Sequence, residues 1–101
     1  MVDTFDKNNY SYNFQIKIIT LLMSDEIFLR DSIELIKPEY FESDALRWLC
    51  SKCIQYFQNY SSKITLEILK VELIKDITDT NLQKIIVETI GNAIQLLKSD
   101  D

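Results

Sequence analysis

The chain of 101 residues contains a single glycine, Gly91, and a single proline, Pro38. A protein made of short strands needs many tight turns, and tight turns draw on glycine and proline. Apolar residues instead recur along most of this sequence at the spacing of an amphipathic helix. The scarcity of turn residues and this periodicity together predict an all-α protein.

Length and composition predict one compact domain. A chain of 101 residues with 47% hydrophobic content can bury one modest core. We expect a bundle of about five helices. Residues 1–12 are predicted to form a flexible N-terminal arm and residues 13–101 a single helical domain, in which 13–76 are a globular head and 80–98 an amphipathic helix.

Capping residues divide the periodic pattern into helices. Ser24 is the predicted N-cap of the second helix, and Thr80 and Gln83 have the spacing of a capping box for the fifth. Ser43 and Thr65 mark the starts of the third and fourth helices. The predicted helices cover about 13–23, 24–36, 44–60, 65–75 and 81–98.

Pro38 interrupts the pattern between the second and third helices. Proline disfavours helical geometry in the residue before it, so we expect Lys37 to be extended. The extended conformation should continue through Glu39 and Tyr40. Phe41, which follows directly, is predicted to anchor this connection in the core.

The charge balance argues against several classes of partner. With 16 acidic and 11 basic residues, the net charge is −5, and the basic residues are scattered, whereas nucleic-acid binding draws on clustered Lys and Arg. We therefore expect no direct nucleic-acid contact. No apolar run is long enough to span a bilayer, and the N-terminus lacks the pattern of a signal peptide. These features predict a cytoplasmic protein that does not contact membranes.

Trp48 lies outside the apolar arc of the predicted third helix. It is surrounded there by polar residues such as Arg47, Lys52 and Gln55. Either the N-terminal arm or another helix covers its ring, or the ring anchors a partner protein, because Trp is enriched in binding hot spots. The sequence leaves both interpretations open.

Cys50 and Cys53 form a C-x-x-C pair within the apolar arc of the third helix. A redox pair of this spacing needs an exposed thiolate at a helix N-terminus, and a zinc site needs more ligands than a chain without His and without further Cys provides. We therefore predict that both thiols pack in the core. The sequence also lacks a glycine-rich phosphate loop and any convergent set of catalytic groups. We expect no enzyme activity, no cofactor and no metal.

The fifth helix has apolar residues over a wide arc, about twice the width of the stripe that one core requires. Two explanations remain open. The helix is central in the bundle and buried on two sides, or Ile85, Val87, Ile94 and Leu96 belong partly to an intersubunit face.

The order of elements around Pro38 resembles a known module. An apolar first helix, Pro38 with Tyr40 and Phe41, a long helix containing Arg47, and a short helix opened by Thr65 are similar to the N-terminal domain of hexameric replicative DNA helicases of the DnaB-like kind, found in bacteria and phages. The resemblance covers roughly three quarters of the chain. Trp48, Cys50 and Cys53 depart from that pattern.

The resemblance implies a non-catalytic assembly and docking domain. Such a domain supports ring assembly and contacts primase or a helicase loader, and the last helix would be the first arm of an oligomerisation hairpin. The resemblance further implies self-association as a dimer or higher oligomer, with the ATPase motor beyond residue 101. The alternative is a freestanding helical interaction adaptor or inhibitor, such as a phage-encoded one. A DNA-binding regulator and a small enzyme are less well supported by charge and motifs.

Overall fold

The computed structural model describes residues 11–99, which form five α-helices and one short 3-10 helix. The all-α bundle is therefore confirmed for this part of the chain. The predicted arm falls mainly on residues 1–10, outside the described residues, whereas Ser11 already caps the first helix. In chain order the elements are α1 (Tyr12–Ser24), α2 (Glu26–Ser32), the 3-10 helix (Pro38–Tyr40), α3 (Asp44–Tyr60), α4 (Leu66–Asp76) and α5 (Thr80–Ser99).

The core is built around one face of α3. α1 and α5 pack against this helix and against each other, and α2 packs against α1 and α3. Burial of a Leu or Ile side chain stabilises the fold by about 1.5–3 kcal/mol relative to exposure. The largest fully buried apolar side chains are Ile19, Leu22, Leu29, Leu46, Leu49, Cys50, Cys53, Leu69 and Ile86.

The predicted cap of α2 is wrong by one residue. Asp25 caps this helix, because its carboxylate accepts from the N–H groups of Ile27 and Phe28 at 3.0 and 3.1 Å. Ser24 is the last residue of α1, and its hydroxyl donates to the carbonyl of Thr20 at 2.7 Å. A carboxylate is favoured at this position because it also complements the positive end of the helix dipole.

The capping box predicted for α5 is also wrong. Asp79 supplies the cap: its carboxylate accepts from the N–H groups two and three residues later, at 2.9 and 3.4 Å. Thr80 is instead the first helical residue. The side-chain amide of Gln83 donates to the carbonyl of Ile77, which ties the first turn of α5 to the C-cap of α4.

α2 ends at Ser32, earlier than the predicted end near Ile36. The N–H groups of Leu35 and Ile36 both donate to the carbonyl of Ser32, at 2.8 and 2.9 Å. The chain therefore turns here instead of continuing the helix, and the turn brings the following segment back onto α3.

The connection at Pro38 is partly as predicted. Lys37 is extended, with φ −121° and ψ 145°. The extended conformation predicted for Glu39 and Tyr40 is wrong, because Pro38–Tyr40 form a 3-10 helix, and proline fits the first position of a helical turn. Phe41 is only 4% exposed, which confirms it as a core residue, and its carbonyl accepts from Arg47 Nε at 2.8 Å.

Truncating the centre of α3 should test this core. We expect Leu49→Ala to lower the free energy of unfolding by about 2–5 kcal/mol, because the lost contacts leave a cavity. Urea unfolding followed by circular dichroism measures the change. Gln58→Ala, at an exposed position of the same helix, should change the free energy of unfolding by less than about 0.5 kcal/mol. Equal effects of the two substitutions would contradict this account of the core.

Candidate interaction surfaces

α4 is joined to α3 by a cluster of charged side chains. Lys52 Nζ lies 2.8 Å from a carboxylate oxygen of Glu72 and 2.9 Å from one of Asp76. The Lys52 side chain is only 14% exposed, so water screens these pairs less than it would on an open surface. Lys75 Nζ, at 3.5 Å, also approaches Glu72.

The cluster shifts the pKa values of Lys52, Glu72 and Asp76. Burial alone would lower the pKa of the Lys52 ammonium, but its hydrogen bonds to Asp76 and Glu72 outweigh burial and raise the pKa above its ordinary value. The hydrogen bonds from Lys52 lower the pKa of both carboxyl groups. All three groups are therefore charged at neutral pH.

Trp48 belongs to the same region. Its indole Nε1 donates to Asp76 at 3.1 Å, and Lys52 Nζ lies 5.9 Å from the ring centroid. The ring is partly buried and packs against the core. The end of α4 thus contacts the indole, as the interpretation with a covering helix expects, and the role of Trp48 as a partner anchor stays a prediction.

Cys50 and Cys53 are both free and fully buried, which confirms their predicted packing in the core. Burial raises the pKa of each thiol to about 12, and the charge of Glu39 adds to the effect at Cys50. Both thiols therefore stay protonated at neutral pH, whereas nucleophilic and metal-binding cysteines react as thiolates.

The four residues proposed for an intersubunit face lie on two flanks of α5. Val87 and Ile94, seven residues apart, are on one flank, whereas Ile85 and Leu96 are on the other. Leu96 is partly buried against the core. Ile85 and Val87 are 48% and 57% exposed. Ile94 is partly buried. The structure does not bring these four side chains together on one surface.

Val87 instead faces residues of α4 across a groove of about 530 Å³. We call it the α4–α5 groove, lined by Lys70, Leu73, Ile74, Gln83, Lys84 and Val87 together with Thr80. Ile74 is 72% exposed. Two lysines therefore border an apolar strip, formed by Ile74 and Val87, that is not buried in the core. The sequence analysis identified Val87 but not Ile74, which directly follows the buried Leu73 in the chain.

A second groove of about 510 Å³ lies between α1 and the segment after α2. We call it the α1–α2 groove, lined by Phe14, Gln15, Ile18, Leu35, Ile36 and Phe41 together with Tyr40. Leu35 is 71% exposed at its edge. The sequence analysis did not identify this groove, because it predicted that the second helix continues to about residue 36, whereas α2 ends at Ser32.

Residues 11–99 contain neither a metal-binding group of side chains nor a membrane-spanning helix. Within residues 11–99, no three His, Cys, Asp or Glu side chains are grouped closely enough to hold a metal ion. Over the same residues, no helix combines the length and apolar character needed to cross a bilayer.

Comparisons of the chain with protein-family models, with curated proteins and with solved structures gave no match.

The charged cluster predicts a specific dependence of stability on pH. The pKa values of Glu72 and Asp76 in the folded protein lie below their ordinary values of 4.5 and 3.8. Their contribution to stability is therefore fully present above those ordinary values, and it is lost as the pH falls below them through the lower pKa values of the folded protein. We expect Lys52→Met to destabilise the protein at neutral pH and to have a smaller effect in acid.

Urea unfolding of the wild type and of Lys52→Met, from neutral pH into acid, measures the difference between their free energies of unfolding. Lys17→Met, which removes an exposed lysine without a described ion pair, serves as the control and should show no such trend. A difference between wild type and Lys52→Met that is the same at all pH values would contradict the prediction.

Proposed function

We propose that this chain is a non-catalytic protein-docking and assembly domain. The observation that supports it most directly is the α4–α5 groove, where Ile74 and Val87 expose most of their apolar surface side by side. Single exposed apolar residues are common, but adjacent ones that form a groove are typical of a protein-binding surface.

The arrangement of α5 favours assembly. One side of this helix, through Ile86 and Ala93, is buried in the core. The flank that contains Val87 and Ile94 is also apolar, and Val87 is exposed. A helix that is apolar on two sides is stabilised by its own core on one side and can bind a partner with the other.

The more specific proposal is that the domain serves a replicative helicase of the DnaB-like kind. The support is the sequence resemblance around Pro38, Phe41 and Arg47, together with the apolar flank of α5, which would be the first arm of an oligomerisation hairpin. In that setting the domain supports ring assembly in the cytoplasm and contacts primase or a helicase loader. The alternative, a freestanding adaptor or inhibitor, uses the same surface.

Mutating the groove tests the assembly function. We expect the wild-type protein to self-associate with rising concentration, and Val87→Asp to raise the dissociation constant about tenfold or more, because it replaces an apolar contact of the interface with a charge that must lose its water there. Sedimentation velocity measures both. Ile27→Asp, at an exposed apolar position of α2 away from the groove, is the matched control. A folded wild type that stays monomeric at every concentration would overturn self-assembly.

The helicase proposal has a separate test in the natural reading frame. We expect the codons after Asp101 to continue into a chain with a G-x-x-x-x-G-K-[ST] phosphate loop on a strand-to-helix turn. Sequencing the natural gene answers this. A stop codon directly after Asp101 would instead favour the freestanding adaptor.

A further inference from the structure

We infer that the α4–α5 groove binds an acidic amphipathic helix of a partner protein, which lies along α5 and extends over Gly91. The inference rests on the docking part of the proposed function and specifies the chemistry of the partner. Its support comes from the lysines that border the groove, from the apolar strip between them, and from a glycine that the packing of the described residues does not require.

The charged border of the groove is entirely positive. Among the described residues that line it, only Lys70 and Lys84 carry a charge, and both are exposed. Neither takes part in an ion pair with another described residue. The chain as a whole has a net charge of −5, so a positive border does not reflect its general charge. A partner with carboxylates opposite these lysines gains electrostatic complementarity.

The apolar strip between the lysines provides the contacts for a helix. Ile74 belongs to α4 and Val87 to α5, and both side chains are exposed where the two helices lie side by side. A groove of this kind accepts the apolar face of a third helix, whose anchors recur at i, i+3 or i+4, and i+7. An amphipathic helix with carboxylates beside its apolar face therefore matches both the strip and its border.

Gly91 extends this surface along α5. It lies four residues after Val87 and seven after Lys84, and therefore on the same side of the helix. Glycine weakens a helix interior relative to alanine. The φ of Gly91 is not positive, and a Cβ at this position would meet nothing within 4 Å. The described residues thus give no reason for glycine here, whereas a partner helix that approaches the backbone of α5 closely does.

A second copy of the chain matches the groove less well than an acidic helix does. Contact between two α4–α5 grooves would bring Lys70 and Lys84 of both copies into one interface, where like charges oppose each other. Salt screens this repulsion, so self-association through the groove should strengthen as salt is added. Salt weakens the attraction between the lysines and an acidic helix. The two occupants therefore differ in the sign of their salt dependence.

A pair of labelled synthetic peptides tests the charge of the partner. Both have leucine at i, i+4, i+7 and i+11, and they differ only in the flanking residues, which are glutamate in one and lysine in the other. We expect the wild-type protein to bind the acidic peptide about tenfold more tightly or better, because its carboxylates meet the two lysines. The dissociation constant should rise with salt. Fluorescence anisotropy measures both peptides.

Charge reversal of the groove provides the matched variants. Lys70→Glu combined with Lys84→Glu should reverse the preference, so that the basic peptide binds more tightly. Lys17→Glu combined with Lys37→Glu changes the net charge by the same amount at exposed positions outside the groove. This control should keep the preference of the wild type. Circular dichroism checks that each variant is folded.

Gly91→Gln tests the close approach of the partner helix. Glutamine favours a helix more than glycine does, so the urea midpoint of unfolding should rise. The longer side chain should nevertheless raise the dissociation constant of the acidic peptide about tenfold or more, because it clashes with the bound helix. A variant that is more stable and binds less tightly cannot owe its weaker binding to a loss of structure.

Equal affinity of the wild type for the two peptides, or no binding of either, would overturn the inference. The same holds if the Lys70→Glu, Lys84→Glu variant still prefers the acidic peptide, or if Gly91→Gln binds it as the wild type does. Self-association that Val87→Asp weakens and salt strengthens, without peptide binding, would make a second copy the occupant and leave the proposed assembly function standing. Binding of the acidic peptide by a protein that never self-associates would support the inference and overturn self-assembly alone.

Discussion

α3 buries Leu46, Leu49, Cys50 and Cys53 on one face, and the other helices depend on that face for their positions. Because α1, α2 and α5 all contact α3, a loss of packing there would separate several helices at once. The small cysteine side chains matter in this arrangement, since they fill the centre of the face without forcing the neighbouring helices apart. The same burial removes the thiols from any chemistry that needs an exposed thiolate.

α4 is held differently from the central helices. Leu69 and Leu73 reach the core, but the long side chain of Lys52 supplies the charged connection to α3, through Glu72 and Asp76. This attachment leaves the outer side of α4 uncovered beside α5. Leu69, Leu73 and the ion pairs with Lys52 hold one side of α4, whereas Ile74 on its other side stays exposed. The α4–α5 groove forms at this exposed side. Such an attachment responds to pH and to salt more than a purely apolar one does.

The helices could be predicted from sequence because apolar periodicity and a near absence of turn residues both point to them. The caps of α2 and α5 could not, because in both places a hydroxyl residue and an aspartate stand next to each other and compete for the same N–H groups. The surroundings of the two flanks of α5 could not be predicted from sequence either. A helical wheel places Ile85 and Val87 at different angles, but only the packed structure tells which angle faces α4. Ile74 and Val87 line one groove because α4 and α5 lie side by side in the fold, and no local pattern encodes that placement.

Trp48 is the only tryptophan of the chain, and its indole meets the carboxylate of Asp76 at the end of α4. The protein therefore carries a natural fluorophore at the junction where α4 meets α3. The emission of an indole depends on its hydrogen bond and on nearby charge. The fluorescence of this single residue can consequently distinguish detachment of α4 from unfolding of the whole core, without any added label.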